Sequence, residues 1–251
     1  MISNELLWLV LLLANFIGIL LAYRLFGLVG LLSWIALAGF VANVQVSKTI
    51  ELFGITATLG NIVYAGTFLA TDIISERYGP TMARRAVWLG FFAIVVSTGL
   101  MQLALLFEPA PSDTMHGSLV SVFAVLPRIA GASLLAYIIS QRHDVWAFQF
   151  WKNRFPGPLW LRNNMSTIVS QLIDSVIFTI VAFYGVFPAL VLLEIVVTTY
   201  LLKAIVAIAD TPFLYAAVHW IKNPPRCADD LSVKTESDLN TPEEAVNAQD
   251  D

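Results

Sequence analysis

The chain has 251 residues, 58% of them hydrophobic and 13% charged, with a mean hydropathy of +0.76. A water-soluble domain carries about 25% charged residues, so this chain has too little charge to cover its own surface in water, and a soluble globular fold is excluded. The net charge of −4 divides unevenly: after Pro224 a tail holds eight acids against Arg226 and Lys234, and the apolar body before it has two more bases than acids.

In chain order, seven apolar runs approach the roughly 20 helical residues needed to cross about 30 Å of hydrocarbon. They are residues 5–23, 27–47, 57–75, 86–107, 118–141, 165–187 and 189–221. No base precedes the first run and no small-residue cleavage site follows it, so it is expected to be a retained helix. Arg24 and Gly27 separate the first pair, Tyr78-Gly79-Pro80 stops the third, and Pro109 and Pro111 mark a loop. Gly185 and Pro188 close a tight final hairpin. The last run is too long for a straight crossing, and Pro212 is the expected kink. Residues 223–251 are too polar to order themselves, and the single cysteine, Cys227, excludes an internal disulfide.

Basic residues in short loops set orientation. With the N-terminus outside, the cytoplasmic side receives eleven bases and the outside only Lys48, while Arg128 and Lys203 fall inside spans. The expectation is an all-α integral membrane protein of seven transmembrane helices, N-out and C-in. Between the fifth and sixth spans, Trp146, Phe148, Phe150, Trp151, Phe155 and Trp160 alternate with Lys152, Arg154 and Arg162, a pattern expected to lie at the lipid headgroups.

Polar groups are costly inside a bilayer and face protein or water. Here they form stripes at helical spacing. Span two carries Asn43, Gln45 and Lys48; span three Asn61, Tyr64, Phe68, Asp72 and Glu76. Span five carries Arg128, Ser133, Tyr137, Ser140, Gln141 and Asp144. Span six carries Asn164, Thr167, Gln171, Asp174 and Ser175, and span seven Glu194, Thr199, Lys203 and Asp210. Pairing between helices, such as Lys203 with Asp174, would account for individual residues. Five helices with aligned polar faces imply a central binding cavity. Glu76, Asp144 and Lys48 fall near expected helix ends, where charge pairing is the simpler role.

Enzyme chemistry is poorly supplied. His116, His143 and His219 sit at different helix ends without metal-ligand spacing, and there is no nucleophile elbow, phosphate-binding loop or cysteine pair. Neither metal nor cofactor is expected, and with no basic patch beyond the helix ends, nor is nucleic acid. A retinal-type seven-helix photoreceptor, suggested by Lys203 and Asp72, is the distant rival. The third helix lacks the arginine-plus-aspartate pattern expected there.

The run Phe68 to Asp72 leading to Tyr78-Gly79 and Arg84-Arg85 resembles a family hallmark. So do Arg128 to Ser133, Ala136-Tyr137, Ser140-Gln141 and Asp144-Val145, then Ser166-Thr167, Gln171, Asp174-Ser175 and Lys203. Together, from about Asn43 to Tyr215, they resemble the queuosine precursor transporters, a vitamin-uptake-like family. The resemblance implies import of 7-cyano-7-deazaguanine, or its aminomethyl relative, across the inner membrane for tRNA queuosine salvage. It also implies a six-helix core (27–222) similar to the substrate-binding subunits of energy-coupling-factor transporters, with residues 1–26 as an additional N-terminal helix. Alternatives are another small solute, such as a vitamin or nucleobase, or a substrate-binding subunit that needs partners.

A deazaguanine presents adjacent N–H donors and a carbonyl, a pattern read by edge hydrogen bonds and aromatic stacking. On this reading Asn43, Asp72, Gln171 and Asp174 are candidate edge readers, with Gln141 a further substrate-binding candidate. Arg128 and Lys203 are carbonyl donors or counter-ions, Tyr64, Phe68 and Phe178 could stack, and Glu76 and Asp144 are proton or charge-pair groups. The expected partners are the small deazaguanine and the lipid bilayer, with a second copy in a homodimer as a candidate. The transport cycle expected is alternating access to a midplane site.

Overall fold

A computed structural model describes residues 3–45, 48–52, 54–123 and 127–221, with backbone alone at 49, 55–58 and 127–130. The acidic tail expected to be disordered lies outside the described residues. The elements are α1 (Asn4–Gln45), β1 (Thr49–Leu52), β2 (Ile55–Thr58), α2 (Gly60–Arg77), α3 (Pro80–Ala104), α4 (His116–Phe123), α5 (Pro127–Arg154), α6 (Leu159–Phe183), α7 (Ala189–Ala209) and α8 (Thr211–Tyr215). A π-helical turn, Ala216–Trp220, follows.

The first two expected spans are one helical hairpin. Gly27 adopts φ 58° and ψ −136° and breaks α1, a conformation open to glycine because it lacks Cβ. The halves then fold onto each other: a Cβ on Gly18 would meet the Trp34 ring at 2.3 Å, and one on Gly30 would meet the Ala22 carbonyl oxygen at 2.1 Å. The first half packs into the core rather than beside it. Leu12, Phe16, Ile19 and Tyr23 are buried, Asn15 Nδ2 donates to the Ile62 carbonyl at 3.2 Å, and Gly66 of α2 admits the Asn15 side chain.

An antiparallel β-hairpin joins α1 to α2, with Thr49 opposite Thr58 and Leu52 opposite Ile55. It was not anticipated, and it moves the start of the third helix from 57 to Gly60. Its signal was the short alternation before Gly54, which sits at φ 76°. Gly79 at φ 84° then ends α2, and Pro80 opens α3 six residues earlier than expected.

The fifth span needs the largest correction. Residues 116–123 form the separate short helix α4, and α5 continues to Arg154. The aromatic segment is therefore mostly the last turns of α5. Trp146 and Phe150 face outward, but Phe148 is fully buried. Asp144 is a buried mid-helix residue, ten positions before the end of α5, rather than a helix-end charge. Likewise α6 begins at Leu159 instead of 165, which carries Arg162 from the expected loop into a buried first turn. The expected break near Pro212 lies at Asp210, between α7 and α8.

Four helical stretches are long and apolar enough to cross a membrane by length and composition: Asn4–Gln45, Pro80–Ala104, Leu159–Phe183 and Ala189–Trp220. Their outward faces are apolar, as at Leu21, Phe92, Leu100, Leu193 and Leu201. This is an all-α membrane fold apart from the hairpin. α2, α5 and α6 turn their polar stripes inward, because buried polar groups without partners would be costly in lipid. One end of the bundle, here the hairpin end, carries β1–β2 and the α6–α7 turn. The other, the basic end, carries Arg24, Arg77, Arg84, Lys152 and Arg154.

Candidate functional site

Three tiers of polar side chains run through the interior. In the first, Asp174 of α6 is a hub. Its Oδ2 accepts from Lys203 Nζ of α7 at 2.5 Å, and its Oδ1 accepts from the Tyr64 hydroxyl of α2 at 2.6 Å and the Ser140 hydroxyl of α5 at 3.2 Å. Four helices thus meet on one carboxylate. The Lys203 ammonium also lies 5.2 Å from the Tyr64 ring centroid, where the ring face attracts a cation. Phe68 and Tyr137 contact the same ring edge-on, with centroids 5.8 and 6.2 Å away. Lys203 and Asp174 are buried, so each charge depends on the other for compensation.

Beside this hub, one face of α6 carries polar atoms without protein partners. Gln171 Nε2 and Oε1, Ser175 Oγ and Thr179 Oγ1 are buried and unmatched. They recur every fourth residue from Thr167, which aligns them on one face. An unmatched buried polar group costs about 1–3 kcal/mol, so this row is suited to a polar ligand: the Gln171 amide offers a donor and an acceptor side by side.

The second tier lies about 12 Å toward the basic end, eight residues along α2 at about 1.5 Å each. Here Asp72 accepts from the Thr167 hydroxyl at 3.2 Å, and the Asp144 carboxylate of α5 lies within hydrogen-bonding reach of Asp72. Asp210, at the α7–α8 break, accepts from Asn163 Nδ2 at 2.8 Å. Between the tiers Gln141 is fully engaged: it donates to Thr67 Oγ1 at 2.8 Å and accepts from the Thr71 hydroxyl at 3.2 Å.

The third tier is an ion-pair cluster at the basic end. Glu76 receives Arg162 Nη2 at 2.6 Å and Lys152 Nζ at 3.1 Å. Arg162 also donates to the Pro156 carbonyl at 2.9 Å and stacks over Phe148. Next to it, Arg77 donates to the carbonyls of Ala217, Val218 and Ile221, tying the end of α2 to the final π-turn. Among the described residues, no group of three or more His, Cys, Asp or Glu side chains is arranged to hold a metal.

Of the candidate residues, Tyr64, Phe68, Asp174 and Lys203 come together in the first tier, with Gln171 one turn away on α6. Asp72 and Asp144 form the second tier, and Glu76 the third. Asn43 lies near the end of α1 and takes no part in these clusters. Phe178 packs against Phe183 at 5.9 Å, and the side chain of Arg128 lies outside the described residues. Sequence reasoning missed Thr67, Thr71, Asn163, Ser170 and Thr179. Hydroxyls in helices can donate to the carbonyl one turn back, as Thr71 does to Thr67, so they leave little trace in a polarity pattern.

Residues 58–217 match the family described as "Putative vitamin uptake transporter". The chain is 49% identical over 225 residues to a probable queuosine precursor transporter of Bacillus subtilis, covering 89% of this chain and 98% of that protein. It is 28% identical over 172 residues to the queuosine precursor transporter of Escherichia coli, covering 66% and 75% of the two chains. A probable queuosine precursor transporter of Haemophilus influenzae is 29% identical over 133 residues, covering 53% and 54%. No solved structure matches. The chain therefore belongs to the vitamin-uptake transporter family that includes the queuosine precursor transporters: it is a multi-pass transporter of the inner membrane, not an enzyme.

Proposed function

We propose that the chain imports a queuosine precursor, 7-cyano-7-deazaguanine or its aminomethyl relative, through the first tier. The observation that carries this reading is the pairing of an ion-paired carboxylate with an unmatched amide. Asp174 and Lys203 satisfy each other, while Gln171 beside them has neither polar atom matched. A deazaguanine edge supplies N–H donors for the carboxylate and a carbonyl for the ammonium. It can therefore replace each ion's partner without leaving either charge bare. Gln171 then meets the remaining donor–acceptor pair, and Tyr64 and Phe68 supply an aromatic wall.

The same reading includes seven crossings with the N-terminus outside and the basic end in the cytoplasm, supported by the eleven-to-one distribution of loop bases. It includes alternating access, with Glu76, Arg162 and Lys152 closing the basic end in the state described here. A six-helix core like that of energy-coupling-factor substrate-binding subunits belongs to the reading on the strength of the family resemblance.

The test is queuosine in tRNA from a host unable to make the precursor, supplied with limiting deazaguanine, with this gene present or absent. Modification that appears only with the gene supports import. Its absence, with the protein shown to be in the membrane, counts against this substrate. Import that depends on a separate ATPase would instead favour a substrate-binding subunit.

A further inference from the structure

Among the described residues, the buried acids outnumber the bases that neutralise them. Lys203 pairs with Asp174, and Arg162 and Lys152 share Glu76. Asp72, Asp144 and Asp210 are equally buried and have no basic side chain in ion-pair contact. Asp210 is held by Asn163, but Asp72 and Asp144 face each other across the α2–α5 contact. Two buried carboxylates at this separation cannot both carry bare charge, because their repulsion and lost hydration reinforce each other.

Three hydroxyls of α6 adjoin Asp144, those of Ser166, Ser170 and Thr167, and each also has another acceptor. The Ser166 hydroxyl donates to the Asn163 carbonyl at 3.0 Å, that of Ser170 to the Ser166 carbonyl at 2.8 Å, and that of Thr167 to Asp72. Both Asp144 oxygens and Asp72 Oδ1 are left without a donor. Independently, Gln171 is fully buried one turn from Thr167, on the α6 face that meets Asp72, and its Oε1 and Nε2 are both unmatched. Two buried carboxylates side by side, with no base in ion-pair contact among the described residues, match a small positive ligand.

We propose that Asp72 and Asp144 form a monovalent-cation site, for a proton or an alkali-metal ion, between the substrate tier and the basic-end ion pairs, and that its filling accompanies transport. The purpose assigned to the site rests on the transporter reading above. Gln171 lies on α6 between Thr167, which bonds Asp72, and Asp174, which bonds Lys203, so the same stretch of helix joins the cation to the substrate site. Around the pair stand Asp210 at the α7–α8 break, Glu76 one turn on along α2 with Arg162 and Lys152, and His143 beside Asp144 on α5, while Lys203 belongs to the first tier. Of these, Asp210 and His143 are the alternative proton acceptors, with His143 Nδ1 2.9 Å from Ser170 Oγ.

The test uses the purified full-length chain without any deazaguanine, so failure of the substrate assignment and failure of this one are separable. The thermal midpoint is followed by tryptophan fluorescence across pH at fixed ionic strength, and separately with Na⁺ or K⁺ replacing a bulky organic cation at fixed pH. A ligand bound by the folded state raises the midpoint. A proton site therefore gives a midpoint that falls as pH rises, and an alkali-metal site one that rises with that ion alone. The Asp72→Asn/Asp144→Asn double variant removes the like charges isosterically and is expected to fold, with that response lost. His143→Gln is expected to keep it.

Infrared difference spectra of the wild type, taken across the same changes, should show a buried carboxyl changing state. They decide the matter if the double variant does not fold. A wild type that responds to neither pH nor ions, a double variant that responds as the wild type does, or loss of the response in His143→Gln would each overturn the proposal.

Discussion

Lys203 Nζ lies 2.5 Å from Asp174 Oδ2, joining the middle of α7 to α6 inside the bundle. Few other polar ties anchor α7, whose outward face is lined by Leu190, Leu193, Val197, Leu201 and Ile205. The pair thus serves both to hold the helix and to present polar groups to a ligand. Breaking it from one side leaves an uncompensated buried charge, at a cost of about 3–5 kcal/mol. Lys203→Met is expected to lower the thermal midpoint and abolish import. Lys203→Met combined with Asp174→Asn should recover most of the stability but none of the import. Midpoints by fluorescence and tRNA queuosine content check the two halves separately.

Asp174→Asn alone keeps an acceptor oxygen for Tyr64 and Ser140 but leaves Lys203 without its counter-ion, so the protein is expected to reach the membrane with a lowered thermal midpoint and with import lost. Full import by this variant would assign Asp174 to helix packing alone.

The two glutamines should behave in opposite ways. Gln141 bonds to Thr67 and Thr71, so Gln141→Leu removes two buried hydrogen bonds between α2 and α5 and should destabilise by about 1–3 kcal/mol. Gln171 has no hydrogen-bond partner among the described residues, so Gln171→Leu should leave stability unchanged or raised. It should weaken substrate binding by about tenfold or more, the equivalent of at least one hydrogen bond at about 1.4 kcal/mol per decade. Thermal midpoints and concentration-dependent uptake separate them. Equal loss of stability in both variants would remove the ground for assigning Gln171 to the ligand.

The Glu76–Arg162 contact is expected to open during transport. In a Cys227→Ser background, Glu76→Cys with Arg162→Cys should be bridged by a short bis-methanethiosulfonate reagent that blocks import, with recovery on reduction. Import that continues through the crosslinked protein would place the moving closure elsewhere.

Close helix approach at glycines sets the frame for all of this. A Cβ on Gly90 of α3 would meet Tyr137 Oη at 2.1 Å and Ile35 Cγ2 at 2.8 Å. Gly90→Val is therefore expected to cost about 1–3 kcal/mol by overpacking and to disturb the Tyr64 ring through Tyr137. Gly99→Val on the same helix, where a Cβ meets nothing within 4 Å, is the control. Thermal midpoints of the two variants test the difference.

Much of the architecture was legible because bilayer physics writes directly into sequence. A span needs a long apolar run, and its polar residues recur at helical spacing, so the membrane class and the inward stripes of α2, α5 and α6 followed from local pattern. The Lys203–Asp174 pair was likewise foreseeable, because two opposite charges in apolar helices have strong reason to meet. The β-hairpin was missed because eight short, half-polar residues between long apolar runs read as the ends of helices. The length of α5 was missed for a related reason: Trp146 to Arg154 has the composition of an interface yet remains helical, since aromatic and basic side chains fit a helix as readily as a loop.

The sequence alone determined that this protein lives in a bilayer and which side chains could be polar inside it, because hydropathy and period are properties of a single segment. Only the tertiary structure decided how those side chains divide. Gln141 is matched and Gln171 is not, Glu76 is neutralised by two bases, and Asp72 faces Asp144 with none. Hydrogen bonds and ion pairs act over a few ångströms between different helices, and that proximity depends on how the helices pack, which no spacing within one segment records.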